Sequence, residues 1–147
     1  MTDTRAGFPA ARLLLVDDDA GFLQVLSRIL KDYPEQRLAT SGEDGLKLAR
    51  EARPDLILLD VEMPGLGGLD FCRELKADPA LADVPVVFIT GQARIPVAVA
   101  GFNAGASDFI TKPVNTPKLL DCVETCLTRS PLSAAARARL RGMSGFS

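Results

Sequence analysis

The sequence of 147 residues contains no histidine and no tryptophan, and it has only one tyrosine and three cysteines. Without histidine, the protein lacks the commonest general base, the commonest zinc ligand and any catalytic triad of the Ser-His-Asp kind. Three cysteines, an odd number in a chain without an export signal, are typical of free thiols in a reducing compartment. Any chemistry must therefore come from carboxylates, lysine and hydroxyl groups.

Long hydrophobic runs and a strong net charge are also missing from the sequence. No apolar run approaches the roughly 20 residues that a bilayer crossing needs, and residues 1–11 lack the apolar stretch of a secretory signal. With 17 Lys and Arg against 19 Asp and Glu, the net charge of −2 provides no positive field for a polyanion. We expect a cytoplasmic protein that binds neither membranes nor nucleic acid directly.

The composition that is present is that of one folded domain. Hydrophobic residues make up 47% and charged residues 24%, which is typical of a globular protein and too apolar for a disordered one. The length fits a single core, since single domains commonly have about 100–200 residues. We expect a flexible N-terminus over residues 1–10, a folded domain over 11–129 and a tail or linker over 130–147.

Short apolar runs alternate with helical patterns along the chain. The runs predict five strands, at residues 12–16, 36–40, 56–59, 84–89 and 108–111. Apolar residues at helical spacing predict five helices, at residues 22–33, 41–52, 69–75, 96–104 and 116–127. Because parallel neighbours need crossover connections, this alternation predicts an α/β fold with a parallel sheet that helices cover on both faces.

Helix starts and one loop are marked by particular residue types. Asp19, Ser41 and Thr116 each precede a helical pattern and are expected to cap it, because their side-chain oxygens can accept from the free amides of the first turn. Pro117 directly after Thr116 suits a first helical position. The segment 63–68, with one proline and three glycines, predicts a loop that can approach a ligand with its backbone.

Carboxylates follow two of the predicted central strands. Asp17 and Asp18 come directly after the first strand, and Asp60 ends the third. In an open parallel sheet, ligands bind at the carboxyl ends of the strands, where these side chains should converge. Converging carboxylates repel one another and lose hydration, so the cluster needs a cation. Oxygen ligands of this kind suit Mg²⁺ best.

Two further polar residues lie at the ends of the last two strands. Thr90 offers a hydroxyl and Lys112 a point positive charge, which are the groups that hold phosphoryl oxygens not bound to a metal. With no Cys, Ser or His in position to act as a nucleophile, the remaining candidate is a carboxylate, and Asp60 is central among the strand ends. The set predicts a phosphoryl-transfer site.

The motifs that carry these residues resemble the response-regulator receiver domain. They are VDDD at residues 16–19, LDVEMPG at 59–65, FITG at 88–91 and TKP at 111–113. The resemblance covers residues 11–127 and implies a flavodoxin-like three-layer sandwich, with a five-stranded parallel sheet in the order 2-1-3-4-5.

The resemblance also implies a function for the acidic cluster. Asp60 would accept a phosphoryl group from the phosphohistidine of a histidine kinase or phosphotransfer protein, in a Mg²⁺-dependent reaction. Asp18 and Asp60 would ligate Mg²⁺ through their carboxylates, Glu62 through its backbone carbonyl and Asp17 by way of water.

By the same resemblance, Thr90 and Lys112 would bind the phosphoryl oxygens, and Thr90 and Phe109 would form a switch. The switch would reshape a surface made by the fourth predicted helix, the fifth strand and the fifth helix. That surface would control an output domain or effector protein and is a possible homodimer face. Glu62 and Gln92 flank the line of water attack in the family and would tune dephosphorylation.

The sequence departs from the family at two positions. Phe109 stands where many relatives have Tyr, so a switch here relies on packing without a phenolic hydrogen bond, and a plain core position fits Phe109 about as well. Gly91 replaces a more usual Ala beside Thr90, which leaves room for a phosphate but loosens the backbone. The bond between Lys112 and Pro113 is commonly cis in the family.

Some residues fit a packed core or an interaction surface. Cys122 and Cys126 lie one helical turn apart, and without histidine we expect buried thiols there rather than a metal site. The fourth predicted helix is more apolar than one buried face requires, which favours a patch for a partner. The chain after Leu127 is short for an output domain. A stand-alone receiver, a piece of a longer regulator and part of a hybrid kinase therefore stay open.

Other functions stay open as well. In aspartyl-phosphate hydrolases, a second Asp two residues after the nucleophile acts as acid and base, but position 62 is Glu. A phosphorylation-independent, receiver-like interaction module would keep the fold without accepting phosphate. A flavin protein of similar topology is disfavoured, because the acidic loop after the first strand would repel a flavin phosphate. We expect a phosphoacceptor signalling domain rather than an enzyme.

Overall fold

The computed structural model describes residues 10–61, 63–91 and 107–129, in which strands and helices alternate. The strands are β1 (Leu13–Val16), β2 (Gln36–Ala39), β3 (Leu56–Asp60), β4 (Val86–Gly91) and β5 (Asp108–Lys112). The helices are α1 (Ala20–Ile29), α2 (Gly42–Glu51), α3 (Gly68–Ala77) and α4 (Thr116–Arg129), which is the fifth predicted helix. None of these four helices is long and apolar enough to cross a membrane. The helix predicted at 96–104 and the tail predicted at 130–147 lie outside the described residues.

The five strands form one parallel sheet in the order β2-β1-β3-β4-β5. This confirms the predicted order 2-1-3-4-5. The register pairs Val16 of β1 with Leu59 of β3, and Asp60 with Ile89 of β4. Because neighbouring strands are in this register, the residues that follow β1, β3 and β4 meet at the same edge of the sheet.

Alternate residues of the central strands point to opposite faces of the sheet and build two separate cores. Leu13 and Leu15 of β1 belong to the first core, which packs α1 and α4 against one face. Leu14 and Val16 belong to the second core, which packs α2 and α3 against the other. Every residue of β1 and β3 is buried, which is why β1 and the part of β3 before Asp60 are uninterrupted apolar runs. The architecture is the predicted three-layer sandwich.

Helix α1 differs from its prediction in two respects. The apolar pattern extends to Tyr33, but the helix ends at Ile29 and is followed by a turn. The side-chain amide of Gln36, the first residue of β2, donates to the carbonyls of Leu30 and Tyr33 at 2.8 and 2.9 Å, and so satisfies acceptors that a longer helix would have used. Val25 belongs to the apolar pattern that predicted this helix, yet its side chain is 48% exposed, because the buried residues of the helix are Leu23 and Leu26.

The predicted helix caps are confirmed at two positions and wrong at a third. Asp19 accepts at Oδ1 from the Phe22 amide at 3.1 Å, and Ser41 accepts at Oγ from the Asp44 amide at 3.1 Å. At α4, however, Asn115 is the capping residue, because its Oδ1 accepts from the Lys118 amide at 3.0 Å. Thr116 therefore lies in the first turn of that helix. Both residue types cap well, so the sequence leaves the choice between neighbours undecided.

The loop between β3 and α3 brings two backbones into close approach. The amide of Gly68 donates to the carbonyl of Val61 at 3.0 Å. A Cβ added to Gly68 would lie 2.9 Å from the carbonyl oxygen of Asp60 and 2.9 Å from the Cα of Val61. Glycine is required here because both of these neighbours are backbone atoms and cannot rotate away.

We predict that Gly68→Ala lowers the free energy of unfolding by about 1–3 kcal/mol, since the methyl group forces the start of α3 away from the end of β3. Urea denaturation of both proteins measures the difference. Gly91→Ala is the matched control, because a Cβ at Gly91 meets nothing within 4 Å. It should leave stability unchanged or raise it by up to about 1 kcal/mol, since Ala restricts the unfolded chain. Equal effects of the two substitutions would contradict the steric explanation.

Candidate functional site

Three carboxylates converge at the carboxyl-terminal edge of the sheet. Asp17 and Asp18 follow β1, and Asp60 is the last residue of the adjacent strand β3. One carboxylate oxygen from each of the three residues lies within 4.8 Å of the other two. The structure thus brings together the acidic residues that the strand ends predicted, in an arrangement that can hold a metal ion.

Asp17 is the most deeply buried member of the cluster, at 2% exposure. Its Oδ1 accepts from the Asp19 amide at 2.9 Å, and its Oδ2 accepts from the Lys112 ammonium at 3.3 Å. Burial raises the pKa of Asp17 above its ordinary value, although the Asp19 amide and the charge of Lys112 act in the opposite direction. The folded protein therefore holds this carboxylate at an electrostatic cost.

The other two carboxylates differ in exposure. Asp60 is 9% exposed and Asp18 is exposed, so the cluster reaches from the interior to the surface. Their oxygens are hard ligands of the kind that bind Mg²⁺ or Ca²⁺. The buried end of the cluster is held by the fold, and the exposed end remains accessible to an ion from solvent.

Lys112 reaches the acidic cluster from the edge strand β5. Its ammonium group pairs with Asp17 across 95 residues of sequence, and its side chain is 34% exposed. The same ammonium lies 4.3 Å from the centroid of the Phe22 ring on α1. The bond from Lys112 to Pro113 is cis, as the resemblance implied. The contact with Phe22 was not predicted, because helical spacing over residues 22–33 does not show which apolar side chains border a site.

Thr90 and Phe109 lie on the face of the sheet that bears the second core. Thr90 is 1% exposed, and its hydroxyl donates to the carbonyl of Gly91 at 3.1 Å. Phe109 is half-buried, packs against the second core and is paired in register with Phe88 of β4. Phe88 and Thr90 are two residues apart on β4, so their side chains point to the same face of the sheet. Since Phe109 is the partner of Phe88, Thr90 and Phe109 share that face. Glu62 and Gln92 lie outside the described residues.

The loop that follows Asp60 is held by α2, which sequence reasoning did not identify. Glu43 in the first turn of α2 accepts at Oε2 from the amide of Leu66 at 3.2 Å. Gly65 beside it has a φ of +73°, the left-handed region that favours glycine. These contacts tie the loop to α2. Nothing in the sequence around a Glu in the first turn of a helix indicates that its side chain accepts a hydrogen bond from a distant loop.

All three cysteines are free thiols, as predicted. Cys72 and Cys126 are buried, but Cys122, also expected to be buried, is half-buried, and its Sγ donates to Asp108 Oδ2 at 3.5 Å. The neighbouring thiol of Cys126 and burial together raise the pKa of Cys122. A thiol with a raised pKa is a weak nucleophile at neutral pH, so Cys122 is a poor candidate for a second reactive site.

Known proteins match this chain over most of its length. The family model of the response regulator receiver domain matches residues 13–124. Response regulator PleD of Caulobacter vibrioides is 37% identical over 154 aligned positions, which cover 92% of this chain and 34% of PleD. Protein PilH of Pseudomonas aeruginosa is 37% identical over 118 positions, covering 80% of this chain and 98% of PilH. The chain thus spans about a third of one curated relative and nearly all of another.

Solved structures show the same similarity. The crystal structure of a putative response regulator from Chloroflexus aurantiacus superposes with a TM-score of 0.78 and 34% sequence identity. The match covers 82% of this chain and 99% of that one. The likeness therefore extends over the whole sheet and its helices rather than over isolated motifs.

We predict that Asp17→Asn raises the free energy of unfolding at pH 7 in metal-free buffer. Because the folded pKa of Asp17 is raised, the fold favours the neutral carboxyl, and this stabilisation is lost as the pH rises through the folded pKa. The advantage of the variant over the wild type should therefore shrink on acidification, when Asp17 itself becomes protonated. Urea denaturation at several pH values measures both trends.

Asp70→Asn is the control for this prediction. Asp70 is 64% exposed and pairs with Arg73 on the surface of α3. Its replacement should change the free energy of unfolding at pH 7 by less than about 0.5 kcal/mol. A wild type more stable than Asp17→Asn at pH 7 would show that the ion pair with Lys112 outweighs burial.

Proposed function

This chain belongs to the response regulator receiver domain family of two-component signalling, and on that basis we propose that Asp60 accepts a phosphoryl group from a phosphohistidine. The donor is a histidine kinase or phosphotransfer protein. The observation that carries the proposal is the convergence of Asp17, Asp18 and Asp60 at one sheet edge, with Lys112 within 3.3 Å of Asp17. The ammonium group can bind phosphoryl oxygens, and the carboxylates can hold a cation that offsets the charge of the phosphoryl group.

The place of Asp60 in the sheet supports its role as the acceptor. Asp60 ends the central strand β3, which lies between β1 and β4. It is therefore flanked by Asp17 and Asp18 on one side and by the strand that carries Thr90 on the other. Both oxygens of Asp17 already accept from groups of this chain, and Asp18 lies on the exposed rim.

The acidic cluster fits Mg²⁺. Asp18 and Asp60 would bind the ion through their carboxylates and Glu62 through its backbone carbonyl. Asp17 would contribute by way of water, which agrees with the engagement of its two oxygens by Asp19 and Lys112. When bound, the ion offsets the charge of the carboxylates and of the incoming phosphoryl group.

In the proposed transfer, a carboxylate oxygen of Asp60 forms a bond to phosphorus as the bond from phosphorus to the donor nitrogen breaks. The leaving nitrogen takes a proton from solvent. The ammonium group of Lys112 donates to one phosphoryl oxygen, and the hydroxyl of Thr90 turns from the Gly91 carbonyl to donate to another. Because the phosphoryl group stays on Asp60 as an acyl phosphate, the domain would act in this step as a signalling phosphoacceptor rather than as an enzyme.

The proposed switch connects Thr90 with Phe109. Movement of Thr90 toward the phosphate would open space on the face that it shares with Phe109, and the half-buried phenyl ring would turn inward. Phe109 has no hydroxyl, so packing alone would favour the inward position. The surface of the helix predicted at 96–104, β5 and α4 would then change for an output domain, an effector or a second copy of the domain. Glu62 and Gln92 would tune dephosphorylation.

The remaining expectations are part of the same proposal. The folded domain spans residues 11–129 and works in the cytoplasm, where a kinase can reach it. Neither nucleic acid nor a membrane is bound directly by this segment, because its net charge of −2 attracts no polyanion.

Phosphate labelling tests the assignment of Asp60. Incubated with labelled phosphoramidate and MgCl₂, the wild type should take up about one phosphate per chain, and hydroxylamine should release it, as acyl phosphates require. Asp60→Asn should take up none, because its amide nitrogen and oxygen are poor nucleophiles. The Asp70→Asn variant should label like the wild type. Labelling of Asp60→Asn at the wild-type rate would exclude Asp60 as the acceptor, and an unlabelled wild type would favour an interaction module without phosphate.

Metal binding is tested by stability. MgCl₂ at 100 times its dissociation constant should raise the free energy of unfolding by about 2.7 kcal/mol, since an ion that binds only the folded state stabilises it. The Asp18→Asn variant should lose most of this gain, because one direct ligand is gone. Urea denaturation at matched ionic strength with NaCl separates specific binding from screening. A gain as large in NaCl as in MgCl₂ would argue against a metal site.

A further inference from the structure

The Phe22 ring lies against the ammonium group on which the proposed phosphoryl transfer depends. The Nζ of Lys112 is 4.3 Å from the centroid of that ring, well within the range of a cation–π interaction. We propose that Phe22 is a positioning residue that holds Lys112 at the site through the face of its ring. This inference rests on the proposed function, because Lys112 is the group that would contact the phosphoryl oxygen.

The ring holds the ammonium group without using one of its hydrogen-bond donors. An ammonium group has three donors, and one is directed to Asp17 Oδ2 at 3.3 Å. The negative face of an aromatic ring attracts the cation electrostatically and requires no directed hydrogen bond. Lys112 therefore keeps donors for phosphoryl oxygens. An acidic residue at position 22 would compete with the phosphate, and an aliphatic one would fill the space without attracting the charge.

The acidic loop itself fixes the position of the ring. The Phe22 amide donates to Asp19 Oδ1 at 3.1 Å, and the Asp19 amide donates to Asp17 Oδ1 at 2.9 Å. Asp17 in turn accepts from Lys112, which contacts the Phe22 ring. These contacts form a closed circuit through Asp17, Asp19, Phe22 and Lys112. The positions of the Phe22 ring and of the Lys112 ammonium group therefore both depend on the buried carboxylate of Asp17.

Phe22 also packs against the first core, so a large substitution would confuse packing with electrostatics. Fluorinated phenylalanines separate the two effects, because fluorine weakens the negative ring face while changing the size of the ring little. Phenylalanines with one, two and three fluorine atoms can be introduced at position 22 alone. The rate constant for labelling by phosphoramidate at saturating MgCl₂ is then measured, together with stability to urea.

We expect the rate constant to fall stepwise with each fluorine atom, by about threefold to tenfold in total, while stability to urea stays constant. Phe22→Tyr should keep the wild-type rate, because phenol and phenyl rings attract cations similarly, and Phe22→Leu should lose as much as the trifluorinated ring. In a Lys112→Met background, the fluorine series should be flat, since no cation remains for the ring to attract.

The same fluorine series at Phe71 is the matched control. Phe71 is fully buried in the second core, on the opposite face of the sheet, and should show no trend in the labelling rate. A labelled wild type with a flat series at Phe22 would overturn this inference and leave the proposed function standing. An unlabelled wild type would overturn both, so the two failures are distinguishable.

Discussion

Mutual repulsion among Asp17, Asp18 and Asp60 is the constraint on which the rest of the site depends. A parallel sheet brings the ends of β1 and β3 to one edge, and there the carboxylate oxygens lie within 4.8 Å of one another. Burial of Asp17 adds a desolvation cost, which raises the pKa of this carboxyl, and the charge of Asp18 adds a smaller contribution in the same direction. The fold tolerates the cost because two apolar cores hold the strands in place, and because Lys112 reaches the buried carboxylate from β5.

The two faces of the sheet divide the work of the site. Asp17 and Lys112 belong, by strand alternation, with the first core and α1, where Phe22 completes their surroundings. Thr90 and Phe109 belong with the second core. Charge neutralisation and the proposed switch thus lie on opposite sides of the same central strands, and Asp60 at the end of β3 is adjacent to both.

Close packing holds the described part of the loop after Asp60 against two helices. Gly68 lets α3 begin against the last residues of β3, and Glu43 on α2 holds the amide of Leu66. Neither contact has a signature in the sequence, because a glycine and a helical Glu are common in many settings. The cap at Asn115 and the exposure of Val25 were not predicted from the sequence for a similar reason. Where neighbouring residues have equal propensity to cap a helix or to be buried, only the packing of the helix against the sheet decides between them.

Local pattern was enough to predict the five strands, the alternation with helices and the strand ends where Asp17, Asp18, Asp60, Thr90 and Lys112 lie. A short apolar run between helical segments is typical of a buried strand in a parallel sheet, and the carboxyl ends of parallel strands always lie at the same edge of the sheet. The strand order came from resemblance to a known family, and the structure agrees with it. Tertiary structure alone decided the burial of Asp17, the pairing of Lys112 with it and the contact with Phe22. Those features depend on distances between side chains from strands and helices far apart in the chain, which no local pattern encodes.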